Sequence, residues 1–144
     1  MNHSPRLLLA LLGALACWPC SLAIAAPVHL ELCKPRHRNT PTKTCIVDGD
    51  TLWLSGEKIR LEGFDTPEVS APKCSSEKLL GKTATERLAA LLNGADWALT
   101  KSGEKDRYNR TIGTITIAGR DVGEVLIAEG LARVWKGHRV SWCD

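Results

Sequence analysis

Three short segments concentrate carboxylates and guanidinium groups: Val47-Asp48-Gly49-Asp50-Thr51, then residues 60–68 (RLEGFDTPE), then Asp106-Arg107-Tyr108-Asn109-Arg110. Asp50 and Asp65 are hard oxygen donors of the kind that suit Ca²⁺ or Mg²⁺ rather than zinc or copper. A cation held between them neutralises a phosphodiester and polarises its oxygens. Arg60 and Arg110 each offer a forked pair of donors to a phosphate. Such donors help most where charge builds up, on the pentacoordinate phosphorus of a transition state. Glu68 follows Asp65 after the rigid Pro67 and can orient or deprotonate an attacking water. No histidine lies in the three segments, so the chemistry they suit is metal-assisted attack on phosphate. Taken singly, each residue has a plainer reading. Asp-Gly forms turns, Arg60 alternates with Ile59 and Leu61 as on any half-exposed strand, and Glu68 alone is a surface acid. Their joint occurrence in this order is what carries weight.

A frame must bring these segments together. Residues 46–47, 51–54 and 58–61 are short β-type runs, the last two joined by Ser55-Gly56. Ile59 and Leu61 alternate with Lys58, Arg60 and Glu62, so one face is buried and the other charged. Asp50 and Asp65 each end such a run, so both can project from one rim. Ser75-Ser76 offers a helix N-cap, and Leu80, Ala84, Leu88, Leu91 and Leu92 recur at helical spacing up to Asn93-Gly94. Residues 95–101 and 111–118 read as two further strands around a polar hairpin loop at 103–109. Residues 121–129 read as a second short helix ending at Gly130. The expected fold is mainly β with two helices (α+β): a five-stranded Greek-key OB-fold barrel. One helix lies between the third and fourth strands, the other after the fifth.

VDGDT, R-x4-DTPE (Arg60, then Asp65 to Glu68) and DRYNR together resemble the staphylococcal nuclease, or thermonuclease, family over residues 45–135. The resemblance implies an OB-fold that cleaves DNA and RNA phosphodiesters with Ca²⁺. It implies calcium ligation by the Asp50 and Asp65 carboxylates and the Thr66 carbonyl, with Asp48 just outside. It makes Glu68 the general base or water-orienting group, and has Arg60 and Arg110 grip the scissile phosphate. Tyr108 is then a nucleotide contact, and Trp135 stacks near the nucleotide. Three departures stand out. Asn109 replaces the family's usual glycine between Tyr and Arg, and the sequence stops at Asp144, where the best-known members continue into a helix. Lys136, His138 and Trp142 stand where those members place tyrosines. The expectation is a monomeric, exported calcium-dependent endonuclease acting on single-stranded or frayed DNA and RNA. Against it stand a non-catalytic nucleic-acid-binding OB domain and a disulfide-stapled envelope or inhibitor-like protein.

The 144 residues, 44% apolar and 24% charged, bound the chain to one domain and exclude collagen, coiled coil and wholesale disorder. A net charge of +3 excludes a histone-like basic protein, so any handling of nucleic acid rests on where charge is placed. Arg6, the apolar run 7–18 and Ala23-Ile24-Ala25 read as a secretory signal cleaved after Ala25, which implies a secreted or periplasmic protein without a membrane partner. The alternatives are an uncleaved anchor or a lipid on Cys17. The expected division is a signal at 1–25, an irregular, solvent-facing basic arm at 26–44 and the OB domain at 45–144. Cleavage removes Cys17 and Cys20, leaving Cys33, Cys45, Cys74 and Cys143. Three pairings exist. Cys33–Cys45 with Cys74–Cys143 is favoured, because the first closes a local loop and the second pins the C-terminus. A Cys2His2 zinc site from Cys33, His37, His138 and Cys143 is the alternative, which export disfavours.

Overall fold

The computed structural model describes residues 29–34 and 40–143. The signal expected at 1–25 lies outside them, as do Arg36, His37 and Arg38. The alternating runs form an antiparallel meander of β1 (Cys45–Asp48), β2 (Thr51–Leu54) and β3 (Glu57–Leu61). Ser55 and Gly56 join β2 to β3 with φ of 48° and 80°. Two consecutive left-handed residues give a hairpin turn whose twist matches that of the strands. After the short β4 (Phe64–Asp65) come α1 (Ser75–Gly94), β5 (Trp97–Lys105), β6 (Thr111–Ile117), β7 (Arg120–Asp121), α2 (Val122–Ala128) and β8 (Arg133–Val134).

β5 and β6 form a second antiparallel hairpin, and β6 docks parallel to β3, so the main ladder runs β1-β2-β3-β6-β5. This is the OB-fold in its α+β form, with α1 between the meander and the second hairpin and α2 after it. Among the described residues no ladder joins β5 back to β1. β4 and β8 make a separate antiparallel pair. Two registers matter for chemistry. Thr51 pairs with Arg60 across β2–β3, and Ile59 with Thr111 across β3–β6. Asp50, Arg60 and Arg110 are thereby brought to one end of three adjacent strands.

Ile46, Leu52, Ile59, Leu61 and Ile115 from the sheet meet Leu88 and Leu92 of α1 and Val122 and Leu126 of α2 in one core. Leu30 joins them at 1% exposure, which corrects the expectation that its segment faces solvent throughout. The reason is local. Leu30 N–H donates to Asn93 Oδ1 (2.8 Å), Asn93 Nδ2 donates back to the Leu30 carbonyl (3.0 Å), and Leu32 bridges Ile46 in parallel. The expected loop at 103–109 is also shorter, because β5 extends to Lys105. The helix N-cap is Cys74 rather than a serine, and its side chain makes no capping bond.

Cys33 is bonded to Cys45 and Cys74 to Cys143. Both thiols that a zinc site would require, Cys33 and Cys143, are consumed in these bonds, so the favoured pairing stands and the zinc alternative fails. Among the described residues no helix is long and apolar enough to cross a membrane.

Candidate active site

The turn between β1 and β2 carries Asp50 to the rim. A Cβ on Gly49 would lie 2.8 Å from Thr66 Cγ2 and 3.0 Å from Ala84 Cβ, so glycine lets this turn nest between β4 and α1. Asp50 is buried and well supplied with donors. Its Oδ1 accepts from Thr51 Oγ1 (2.9 Å), and its Oδ2 from Thr66 N (3.1 Å) and Thr66 Oγ1 (3.0 Å). Arg60 Nη1 lies 2.9 Å from Asp50 Oδ2, and Arg60 Nη2 lies 3.5 Å from Asp65 Oδ1. The same guanidinium donates to the carbonyls of Leu61 (2.8 Å) and Phe64 (3.0 Å), which fixes its plane. Asp48 sits behind Asp50 and accepts from its N–H (3.2 Å). Burial, reinforced by the negative charge of Asp50, pushes the Asp48 carboxyl up to about 7.

Arg110 is held by its own turn. Asp106 Oδ1 accepts from the N–H groups of Tyr108 and Arg110, both at 2.9 Å, and Oδ2 accepts from Arg110 Nε at 2.7 Å. Asn109 takes φ 61°, the left-handed conformation that closes the turn and that asparagine tolerates better than most residues. Burial pushes the Asp106 carboxyl up, but the hydrogen bonds from Arg110 and Tyr108 outweigh it and hold the group below its ordinary value.

Glu68 leaves β4 on a loop that α1 supports in two ways. The buried Glu77, in the first turn of the helix, accepts from the N–H groups of Lys73 (2.6 Å) and Glu68 (3.4 Å). One turn on, a Cβ at Gly81 would lie 2.7 Å from the Pro67 carbonyl oxygen and 3.0 Å from that of Glu68. Helix backbone and loop backbone therefore touch directly.

One site residue was not anticipated. Arg139 pairs with Glu68 through Nη1 and with Asp65 Oδ1 through Nη2 at 3.0 Å. Burial disfavours its charge, but the Glu68 hydrogen bond and the Asp65 charge raise its pKa further above the ordinary arginine value. Trp142 Nε1 approaches Asp65 Oδ2 at 3.4 Å. Neither Arg139 nor Glu77 belongs to a recognisable motif. The one sequence signal that could have found Arg139 is the pairing of Cys143 with Cys74, which returns the C-terminal residues to the loop carrying Glu68.

Arg60, Asp65, Glu68, Arg110 and Arg139 line a cleft of about 920 Å³, with Tyr108 and Trp135 on its walls. Asp50 and Thr66 are buried at 4% and 2% exposure beside Asp65. Tyr108 lies under the guanidinium groups of Arg107 and Arg110, at 4.8 and 5.4 Å from its ring centre. The structure thus brings Asp50, Arg60, Asp65, Thr66, Glu68 and Arg110 together and sets both aromatics beside them. Asp50, Asp65 and Thr66 offer only oxygen atoms, with no thiolate or imidazole among them, and this donor set fits a hard divalent cation.

A profile described as staphylococcal nuclease homologue matches residues 58–142, more than half of the chain. Curated relatives include the endonuclease YncB of Bacillus subtilis (strain 168), 35% identical over 94 residues, covering 61% of this chain and 44% of that protein. The thermonuclease of Staphylococcus hyicus is 32% identical over 93 residues, covering 61% and 54%. The succinoglycan biosynthesis protein ExoI of Rhizobium meliloti (strain 1021) is 33% identical over 91 residues, covering 60% and 48%. The match spans about half the length of these relatives.

Proposed function

The chain belongs to the staphylococcal nuclease family, and from that premise we propose that it is an exported, calcium-dependent endonuclease. Its substrate in this reading is single-stranded or frayed DNA and RNA, and it acts as a monomer. The observation that carries the reading is that Asp65, Glu68, Arg60 and Arg110 line one cleft and that Asp50 pairs with Arg60 beside them. The two disulfides support export, since such bonds persist in oxidising compartments.

Ca²⁺, held by the Asp50 and Asp65 carboxylates and the Thr66 carbonyl, would neutralise the phosphate and polarise its oxygens. Glu68 orients a water or takes its proton as the water oxygen bonds to phosphorus. The P–O5′ bond breaks on the opposite side, leaving a 3′-phosphate, and the departing O5′ takes a proton from solvent. Arg60 and Arg110 donate to the phosphate oxygens as negative charge accumulates there, with Arg110 also beside the leaving oxygen. Tyr108 and Trp135 present ring faces on which bases stack without regard to sequence.

The test is turnover of denatured DNA by the oxidised protein with Ca²⁺ and then with chelator. Activity is expected to vanish with the ion, to fall about 10²–10⁴-fold in Glu68→Gln and about 10²–10³-fold in Arg110→Ala. Cleavage that survives chelation, or that neither substitution changes, overturns the reading. Salt-dependent binding of single strands without cleavage would assign a binding module instead.

A further inference from the structure

Residues 137–143 form a strap across the acidic end of the cleft. Its far end is bonded to Cys74, the residue just before α1. Two more contacts fix its course. Arg133 lies over the Trp142 ring at 3.8 Å from the centroid, and Arg133 Nη1 donates to the Ser141 carbonyl at 2.9 Å. Two residues before it, Trp135 N–H donates to the Gly63 carbonyl at 2.9 Å. Between these anchors the strap presents one charged group to the acids, the Arg139 guanidinium, on Asp65 and Glu68.

The position is informative because Asp65 is also a carboxylate expected to hold the divalent ion. A guanidinium and an ion that satisfy the same carboxylate compete for it, and a competition is a coupling free energy felt equally by both. Arg139 lies only four positions from the disulfide, so its effective concentration at Asp65 is set by a short tether rather than by diffusion. Arg60 also faces Asp65, but more distantly at 3.5 Å, and its donors are shared with Asp50 and two carbonyls.

We propose that Arg139 is a positioning residue of the active site: a counter-ion, delivered by the disulfide-tethered strap, that competes with the divalent cation for Asp65 and holds Glu68 in place until the ion binds. This rests on the cation site proposed for Asp50, Asp65 and Thr66. The strap then sets the ion concentration at which the site switches on, and the disulfide sets the strength of the strap.

The experiment is calorimetric titration of Ca²⁺ into the oxidised full chain, without nucleic acid, so that binding is read independently of cleavage. Arg139→Ala is expected to tighten Ca²⁺ binding about tenfold, and Arg139→Lys to restore most of the weaker binding because it keeps the charge. The paired change Cys74→Ser with Cys143→Ser is expected to shift affinity in the same direction with Arg139 unaltered. Equal affinity in the parent protein and Arg139→Ala overturns the proposal and leaves the cation site standing. Equal affinity in the parent and the variant lacking Cys74–Cys143, with Arg139→Ala tightened, overturns the role of the tether. Absence of Ca²⁺ binding in every variant overturns the cation site and the proposal with it.

Discussion

Asp106 shows how a site arginine is aimed without help from a second element. One carboxylate satisfies two backbone N–H groups and the Arg110 side chain, so the turn and the guanidinium are fixed by the same group. Its pKa lies below the ordinary 3.8 because those hydrogen bonds outweigh its burial. A depressed carboxyl stabilises the fold above its unfolded value and loses that contribution as pH falls through the lowered one. Asp106→Asn is therefore expected to cost about 1 kcal/mol at neutral pH, a difference that shrinks in denaturant melts taken below pH 3.8. Turnover should fall about tenfold, since Arg110 loses its fixed direction. The motif DRYNR revealed Arg110 and Asp106 as neighbours, because their contact lies within one turn of chain. Arg139 was not readable in the same way. Its partners are 71 and 74 positions away, and the Cys74–Cys143 bond, with Arg133 against Trp142 and Ser141, returns it to them.

The long helix α1 does more than fill the core beneath the sheet. Its first two turns form the floor of the Glu68 loop, through the Glu77 carboxylate and the bare backbone at Gly81. In an ordinary helix interior, alanine in place of glycine gains about 1 kcal/mol. Here the added methyl meets a backbone oxygen at 2.7 Å, and backbone cannot swing aside as the end of a side chain can. Gly81→Ala should destabilise the protein by about 1–2 kcal/mol net and displace Glu68. The expected signature is a fall in kcat larger than any change in KM, with Ca²⁺ affinity retained; a more stable and fully active variant would show that the loop yields freely. The strands of the meander and both helices could be read from alternation and helical spacing, because each buries a face its own sequence marks. The parallel docking of β6 on β3 could not, since it joins residues about fifty positions apart and leaves no local pattern. Leu30 was missed for the opposite reason: three prolines and a basic cluster surround it, and composition hid one core residue in a polar segment.

A net charge of +3 over the chain conceals a separation of charge, with buried acids at one end of the cleft and guanidinium groups set against them. Two cross-links hold this arrangement, and their loop lengths make a sharp comparison. Cys74–Cys143 spans 69 positions and Cys33–Cys45 spans 12, so loop entropy alone favours the longer one by about 1.5 kcal/mol. The folded state argues against so large a gap. Without its bond, residues 29–34 remain held by the Ile46 N–H on the Glu31 carbonyl, the Cys33 N–H on the Ile46 carbonyl and the Asn93 clamp. The folded chain there regains little freedom, so removing this bond forfeits its whole loop-closure stabilisation of about 3 kcal/mol. The strap is held by side-chain contacts rather than by backbone-to-backbone bonds, so releasing Cys143 restores freedom to the folded chain. That regained freedom offsets part of the loop-closure stabilisation lost with the longer loop, about 4 kcal/mol. Urea unfolding of Cys33→Ala with Cys45→Ala, and of Cys74→Ser with Cys143→Ser, should therefore give losses equal within about 1 kcal/mol, near 3 kcal/mol each. Function separates the two. Only the second pair frees Arg139 from Asp65, so only the second should change Ca²⁺ affinity. A matching change in the first pair would mean that affinity follows overall stability rather than the strap.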